Sequence, residues 1–254
     1  MSTPAAPRED SLERVREYVD GTVSAIDLAH DLDVALSGLS LYPTDTVLDI
    51  GQAAGQLLER KPEAAVTAVL QLVSSENRET RAVACAIIGR LARYSPAVWA
   101  GIVRHLATDA DWEVRSFAAR VYDSREGYAG AVEFHTDWVF EELTAWVKDD
   151  NYLLRHAATE ALLGYLRSLP DVVSRVLKLL EPLLNDAAEY VGRGLVMALR
   201  TMGRTQPSAV FDFLEAHLPP ASEEGREVFQ LVLEQRFADK DPARKQELLA
   251  KLGS

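Results

Sequence analysis

The sequence predicts an all-α protein that folds as an α-solenoid, a right-handed superhelix of antiparallel helix pairs. Three observations favour this class. Segments with a similar pattern of apolar and charged residues recur through the middle of the chain. Each recurrence spans two helices joined by a short polar turn. No segment shows the alternation of apolar and polar residues that is typical of a strand. Repeats of this kind stack on their neighbours and bury a continuous core, as in HEAT-type proteins.

Prolines mark the first helix of each repeat. Segments such as "PEAAVTAVLQLV" begin at Pro62, Pro96, Pro170 and Pro207, and each is amphipathic. Proline is well tolerated at the first helical position, because its missing N–H would have no partner there. We therefore expect a helix to begin at each of these prolines.

The second kind of helix lies fifteen residues before three of these prolines, at Arg81, Arg155 and Gly192. A further copy, "VRSFAARVYDSR", places Arg115 at the corresponding position. We call this shared position, at Arg81, Arg115, Arg155 and Gly192, the slot. The four positions are separated by 34, 40 and 37 residues. This spacing is typical of two-helix repeats, and the clearest repeats cover residues 62–217.

Further helices are predicted at both ends of the chain. "SAIDLAHDLDVALSGL" has Ser24 as its N-cap, and "DPARKQELLAKL" has Asp241 as N-cap with Pro242 in its first turn. We expect residues 1–7 to be disordered and residues 8–254 to form a single helical-repeat domain.

Composition excludes several classes of protein. The formal net charge is −12, but residues 78–204 carry 16 basic and 17 acidic side chains, so the middle of the chain is nearly neutral. Cys85 is the single cysteine, in the apolar run "AVACAIIG", which predicts a buried thiol and a reducing compartment. No apolar run is long enough to span a bilayer. We expect a cytoplasmic monomer without a membrane partner.

Metal and cofactor sites are not predicted. The five histidines show no ligand spacing for zinc, and the chain has neither a phosphate-binding loop nor a nucleophile elbow. We therefore expect no metal and no cofactor.

The segment "NDAAEYVGRGLVMALRTMGRTQP", residues 185–207, resembles the repeat of the DNA alkylation repair family, D-x-x-E-Y-V-R-K-S-V-A-x-x-L-x-D-x-S-K-x-x-P. The matching residues are Asp186, Glu189, Tyr190, Val191, Leu199 and Pro207. Arg193 and Arg204 keep the positive charge of family lysines, Gly192 replaces an arginine, and Arg200 is additional. "DADWEVRSFAARVY" and "DDNYLLRHAATEAL" are similar to other family segments, so the resemblance covers about residues 78–217.

Arginines recur on one face of the second helices. At 100° per residue, Arg193, Arg200 and Arg204 fall within 40° of one another. Similar angles hold for Arg93, Arg120 and Arg167 on their own helices, away from the apolar stripe. The resemblance implies that these helices line a concave surface, where the arginines would form a basic stripe along the backbone of duplex DNA.

A structural role for the arginines is the alternative. We expect the slot residues Arg81, Arg115 and Arg155 to hold adjacent repeats together by bonding turn acids, namely Asp109, Asp149 or Asp186. For Arg193, Arg200 and Arg204, phosphate binding and simple solvation both remain open. The alternative function is a non-catalytic scaffold that binds a protein partner in the concave groove. The overall acidity of the chain favours it, and so does the loss of a family arginine at Gly192.

The resemblance also implies a possible activity, hydrolysis of the N-glycosidic bond of alkylated purines in DNA. Family glycosylases use a carboxylate and tryptophans that flank the damaged nucleotide. Two candidate pairs exist here, Asp150 with Trp146 and Asp111 with Trp112. The alternative for these residues is a structural role. Both aspartates lie in turns between helices, and Trp138 and Trp146 have the spacing of residues that point into a helix-packing core.

Overall fold

The protein is all-helical in a computed structural model that describes residues 6–41, 45–122, 132–168, 172–220 and 222–253. Within these ranges no strand occurs, and two short 3₁₀ segments lie at Glu181–Leu183 and Ala238–Lys240. The helices are α1 (Ala6–Asp20), α2 (Ala25–Leu36), α3 (Asp45–Leu58), α4 (Pro62–Val73), α5 (Arg78–Leu91), α6 (Pro96–Leu106), α7 (Trp112–Arg120), α8 (Val132–Trp146), α9 (Tyr152–Ser168), α10 (Val173–Leu180), α11 (Glu189–Thr205), α12 (Pro207–Ala216), α13 (Glu223–Leu233) and α14 (Pro242–Leu252).

The helices form two compact units, Met1–Val139 and Phe140–Ser254. In the first unit α1, α3, α5 and α7 pack side by side, and α2, α4 and α6 form a second layer. In the second unit α9, α11 and α13 form one layer, and α10, α12 and α14 the other. Within each unit, the helices of one layer thus contact their next-but-one neighbours, which confirms the predicted HEAT-like α-solenoid. A single domain over residues 8–254 stays a prediction.

Helix starts agree with the sequence patterns. Pro62, Pro96 and Pro207 each open a helix, whereas Pro170 lies outside the described residues. The slot helices α5, α7, α9 and α11 all begin three residues before their slot residue. Ser24 is the N-cap of α2, as predicted. The structure adds that the Asp27 side chain accepts from the Ser24 backbone in return, which completes a capping box. None of the described helices is long and apolar enough to cross a membrane.

The slot arginine of α5 joins one repeat to the next. The Arg81 guanidinium donates to both carboxylate oxygens of Asp109, at 2.8 and 3.0 Å, and to the carbonyls of Ser75 and Glu76. Asp109 also accepts the backbone N–H of Asp111. The prediction that Arg81 has a structural role is therefore confirmed.

The slot arginine of α9 repeats this arrangement in the second unit. Arg155 donates to both carboxylate oxygens of Asp186, at 2.5 and 3.0 Å, and to the carbonyls of Asp149 and Asp150. Asp186 accepts the backbone N–H of Ala188 as well. Because the pair connects the start of α9 to the start of α11, it fixes how these two helices sit side by side.

Candidate nucleic-acid interface

Helix α11 presents arginines opposite its buried stripe. Its buried residues include Val191, Leu195, Ala198, Leu199 and Met202. The opposite face carries Arg193, Met197, Arg200 and Arg204, spaced by four, three and four residues. Arg193 and Arg204 are exposed, and Arg200 is half-buried. The predicted clustering of the three arginines on one face of α11 is thus present.

The three arginines differ in how strongly they are engaged. Arg193 pairs with Glu189 one turn earlier, but the two side chains are 69% and 75% exposed. A pair this exposed contributes at most about 1 kcal/mol, so a stronger anion can displace Glu189. Within the described part of the chain, the side chains of Arg200 and Arg204 form no ion pair. This face of α11 therefore offers cations to an external ligand.

Aromatic rings from α9 extend the same surface. The His156 ring stacks on the Tyr190 ring, with centroids 3.9 Å apart and an interplanar angle of 23°. The close approach depends on Gly194, because an added Cβ there would lie 2.2 Å from Thr159 Oγ1. Tyr152 lies one turn before His156 on α9 and is 46% exposed.

We call the combined surface the α9–α11 face, formed by Tyr152, His156, Tyr190, Arg193, Met197, Arg200 and Arg204. Tyr190 and Met197 are 36% and 45% exposed. Among the described residues of the second unit, Leu249 is the one large exposed hydrophobic side chain outside this face. Cations beside exposed rings are the combination with which proteins grip nucleic acids, since phosphates attract the charges and bases stack on the rings.

Sequence reasoning missed the aromatic part of this face. Tyr152 and His156 stand one helical turn apart in "NYLLRHAATEAL", and this spacing could have revealed a shared face. The His156–Tyr190 contact had no sequence signal, because it joins two helices.

An acidic helix borders the α9–α11 face. Helix α13 packs beside α11, where an added Cβ at Gly192 would lie 3.4 Å from Val228. The exposed acids of α13 and its C-cap are Glu223, Glu224, Glu227 and Glu234. These carboxylates repel phosphates, so the surface of α13 is less favourable to DNA than that of α11, although α13 also carries the exposed Arg226.

The other predicted DNA-binding arginines are not brought onto this face by any described contact. Arg93 and Arg120 are half-buried in the first unit, and the Arg93 guanidinium lies 5.3 Å from the Tyr94 ring centroid. The side chain of Arg167 lies outside the described residues. On α5, Ala82 and Ala86 occupy the angles of the arginine face and are buried. A stripe that joins all six arginines stays a prediction.

The first catalytic pair is not assembled as a site. Trp146 is fully buried, and its Nε1 donates to Glu142 Oε1 at 2.8 Å. A ring in the core cannot contact a nucleotide, so the structure corrects Trp146 from a site residue to a core residue. Asp150 is exposed in the turn before α9, where its carbonyl accepts a hydrogen bond from Arg155.

The second catalytic pair lies at the start of α7. The Asp111 carboxylate caps the helix by accepting the Glu113 N–H at 2.8 Å, and it lies 3.4 Å from Arg78 Nη1. Trp112 is 55% exposed. These contacts give Asp111 the structural role that its position in a turn suggested. Its carboxylate is occupied by the helix cap and by Arg78.

Cys85 is fully buried in α5, as the sequence predicted. Burial in an apolar environment raises the pKa of its thiol well above the ordinary range. We expect alkylation by iodoacetamide to be at least about 100-fold slower in the native protein than in denaturing urea, because only the exposed thiolate reacts. Mass spectrometry measures both rates. Equal rates would show that the protein around Cys85 opens freely.

The described residues hold no cluster of groups suited to bind a metal ion.

These features define a HEAT-like helical-repeat protein with a cationic and aromatic surface on one layer of its second unit. The family model described as "DNA alkylation repair enzyme" matches residues 46–226, well over half of the chain. The protein therefore belongs to the DNA alkylation repair enzyme family.

Solved structures agree with this fold. AlkD2 from Streptococcus mutans is similar with a TM-score of 0.68 and 17% identity, over 83% of this chain and 98% of that one. The protein smu.31 from Streptococcus mutans UA159 is similar with a TM-score of 0.64 and 18% identity, over 82% and 98%. At such identities the likeness concerns the fold. No curated protein matches the sequence.

Proposed function

We propose that the protein binds DNA through the α9–α11 face, as a repair-type member of its family. One observation carries the proposal: Arg200 and Arg204 have no acidic partner among the described residues, although the chain has a net charge of −12. By contrast, Arg81 and Arg155 are fully engaged by carboxylates and carbonyls. Cations left unpaired in an acidic protein favour an anionic ligand.

The dimensions of the face suit a phosphate backbone. Arg193 and Arg204 are eleven residues apart on one helix, which corresponds to about 16 Å along its axis. Phosphates of one DNA strand are spaced by about 3.4 Å of helix axis, so the three guanidinium groups can reach several of them. Tyr152 and Tyr190 would then contact sugars or unpaired bases beside the backbone.

A salt titration of DNA binding tests the proposal. Each phosphate contact adds about 0.9 to the slope of log affinity against log salt, so three contacts predict a slope of about −3. We expect the triple variant Arg193→Ala/Arg200→Ala/Arg204→Ala to lose most of this slope and most of the affinity at low salt. Fluorescence anisotropy with labelled duplex DNA, intact and with an abasic-site analogue, measures both.

Two exposed arginines outside this face provide a control for net charge, which removes two positive charges against the three removed from α11. The variant Arg226→Ala/Arg236→Ala removes cations from the α13 region of the same unit and should leave binding nearly unchanged. If both variants weaken binding equally, long-range charge and not the α9–α11 face is responsible. If wild type does not bind even at low salt, the proposal fails.

Hydrolysis of the N-glycosidic bond of alkylated purines is the finer proposal that family membership supports. Asp150 is its exposed carboxylate candidate, since Asp111 is engaged in helix capping. If methylated DNA releases alkylated purines with the wild-type protein, Asp150→Asn should abolish this release. Unchanged release in the variant would eliminate Asp150.

A scaffold function is the second candidate. It is favoured by the exposed Tyr152, Tyr190 and Met197 beside the acidic α13, because rings and methionines are common at protein interfaces. In that case the α9–α11 face would bind a protein, and duplex DNA would not compete with it.

A further inference from the structure

Two adjoining cavities flank α10, in the layer that does not contain α9 and α11. The larger has a volume of about 920 Å³ and lies between α8, α10 and the segment after α12. The smaller has a volume of about 560 Å³ and lies between α10 and α12. Lys178, Glu181 and His217 line both cavities. We call the combined depression the α10 groove.

The floor of the α10 groove is apolar. Phe140, Leu179 and Leu184 line the larger cavity, and Leu177 and Phe213 line the smaller. Each of these side chains is less than one tenth exposed, so the little surface that they expose faces the groove. Burying it under apolar side chains of a ligand is favourable by about 25 cal/mol per Å².

Cations stand along the same groove. Lys148 and Lys178 are exposed, and neither forms an ion pair within the described part of the chain. The Arg175 guanidinium lies 4.1 Å from the Phe140 ring centroid, so a cation–π contact holds it against the wall of the larger cavity. The three positive charges are therefore placed around an apolar floor.

The carboxylates of the groove only partly offset these cations. Glu181 lies 3.4 Å from His217 Nε2, and His217 Nδ1 donates to the Phe213 carbonyl at 2.7 Å. This arrangement orients the imidazole toward Glu181. Glu141 is the other acidic residue that lines the larger cavity, and Asp212 lines the smaller one, where it pairs with Arg244 at 2.7 Å. In the larger cavity two carboxylates, Glu141 and Glu181, thus face three permanent cations, which leaves a positive surplus there in a unit that is acidic as a whole.

We propose that the α10 groove binds an extended peptide segment of a partner protein that carries acidic and apolar side chains. The acids pair with Lys148 and Lys178, and the apolar side chains cover Phe140, Leu179 and Phe213. A nucleic-acid backbone matches the lysines, but it has no apolar groups to cover the floor. The site lies in a different layer from the α9–α11 face, so this proposal is independent of DNA binding.

Selection from a random twelve-residue peptide library on the full-length protein tests the proposal. We expect the enriched peptides to combine Asp or Glu with Leu, Phe or similar residues. The charge-reversed variant Lys148→Glu/Lys178→Glu should bind these peptides at least about tenfold more weakly by fluorescence anisotropy, since each reversal replaces attraction by repulsion. Both lysines are exposed, so the variant is expected to fold, which circular dichroism checks.

The control variant is Arg226→Glu/Arg236→Glu, which changes the net charge equally but leaves the groove intact. It should retain peptide binding. The proposal is overturned if no peptides are enriched, if enriched peptides lack acidic residues, or if both variants lose binding equally. Loss of DNA binding in Lys148→Glu/Lys178→Glu, without loss of peptide binding, would assign the lysines to nucleic acid and overturn it as well.

Discussion

Replacing Gly51 with alanine is expected to destabilise the protein by about 3 kcal/mol, a large effect for a single methyl group. Gly51 lies on α3 where it contacts α5, and an added Cβ would stand 2.3 Å from the Cβ of Ala86 and 3.1 Å from the Ala86 carbonyl carbon. The methyl group of alanine has no rotamer with which to move away. The backbones of α3 and α5 would therefore have to move apart at this point of contact.

Gly101→Ala is the matched control for this substitution. Gly101 lies in helix α6 and is exposed, and a methyl group added there would meet no other atom within 4 Å. Here alanine should stabilise the protein by about 0.5–1 kcal/mol, because it restricts the unfolded chain and favours the helix. Urea unfolding followed by circular dichroism measures both variants. Equal effects at the two glycines would contradict the tight packing of α3 on α5.

Replacing Arg155 with alanine should cost about 3 kcal/mol of unfolding free energy. The Asp186 side chain is only 6% exposed, and Arg155 supplies both of the guanidinium hydrogen bonds that it accepts. The carbonyls of Asp149 and Asp150 lose a donor at the same time. Hydrogen bonding to Asp186 raises the pKa of Arg155, so the guanidinium stays charged over the ordinary pH range.

Two further variants separate the geometry of the pair from its charge. Arg155→Lys keeps the charge but cannot donate in parallel to both carboxylate oxygens, so we expect an intermediate loss of about 1–2 kcal/mol. Arg193→Ala removes an exposed pair and should cost less than about 0.5 kcal/mol. Similar losses for Arg155→Ala and Arg193→Ala in urea unfolding would contradict the structural role of Arg155.

These contacts divide four of the described arginines into two groups. Arg81 and Arg155 are surrounded by acceptors of their own repeats and the next one, and they stabilise the stacking of helices. Arg200 and Arg204 have no such acceptors among the described residues and face solvent to different extents. The first group should affect stability, whereas the second should affect ligand binding.

Much of the candidate site could be predicted from the sequence. Helical periodicity placed Arg193, Arg200 and Arg204 on one face of α11, because angles within a helix depend only on the spacing of residues. The slot position of Arg81 and Arg155, close to turn acids, predicted their ion pairs. The burial of Cys85 followed from its apolar neighbours.

Other features depended on contacts between helices. Trp146 could be a site residue or a core residue from its spacing, and only the packing of its indole showed that it is buried. Likewise, the stack of His156 on Tyr190 requires two helices to approach at Gly194, and the cavities around α10 exist only where helices leave space between them.

The sequence by itself determined the all-helical repeat architecture, the starts of most helices and the face on which the α11 arginines lie. These features are local, since they depend on caps, prolines and apolar spacing within one or two helices. The tertiary structure decided which arginines are engaged, which aromatic rings are exposed and where the acidic helix α13 borders the basic face. Such features depend on distances between residues far apart in the chain, and periodicity along a single helix does not contain them.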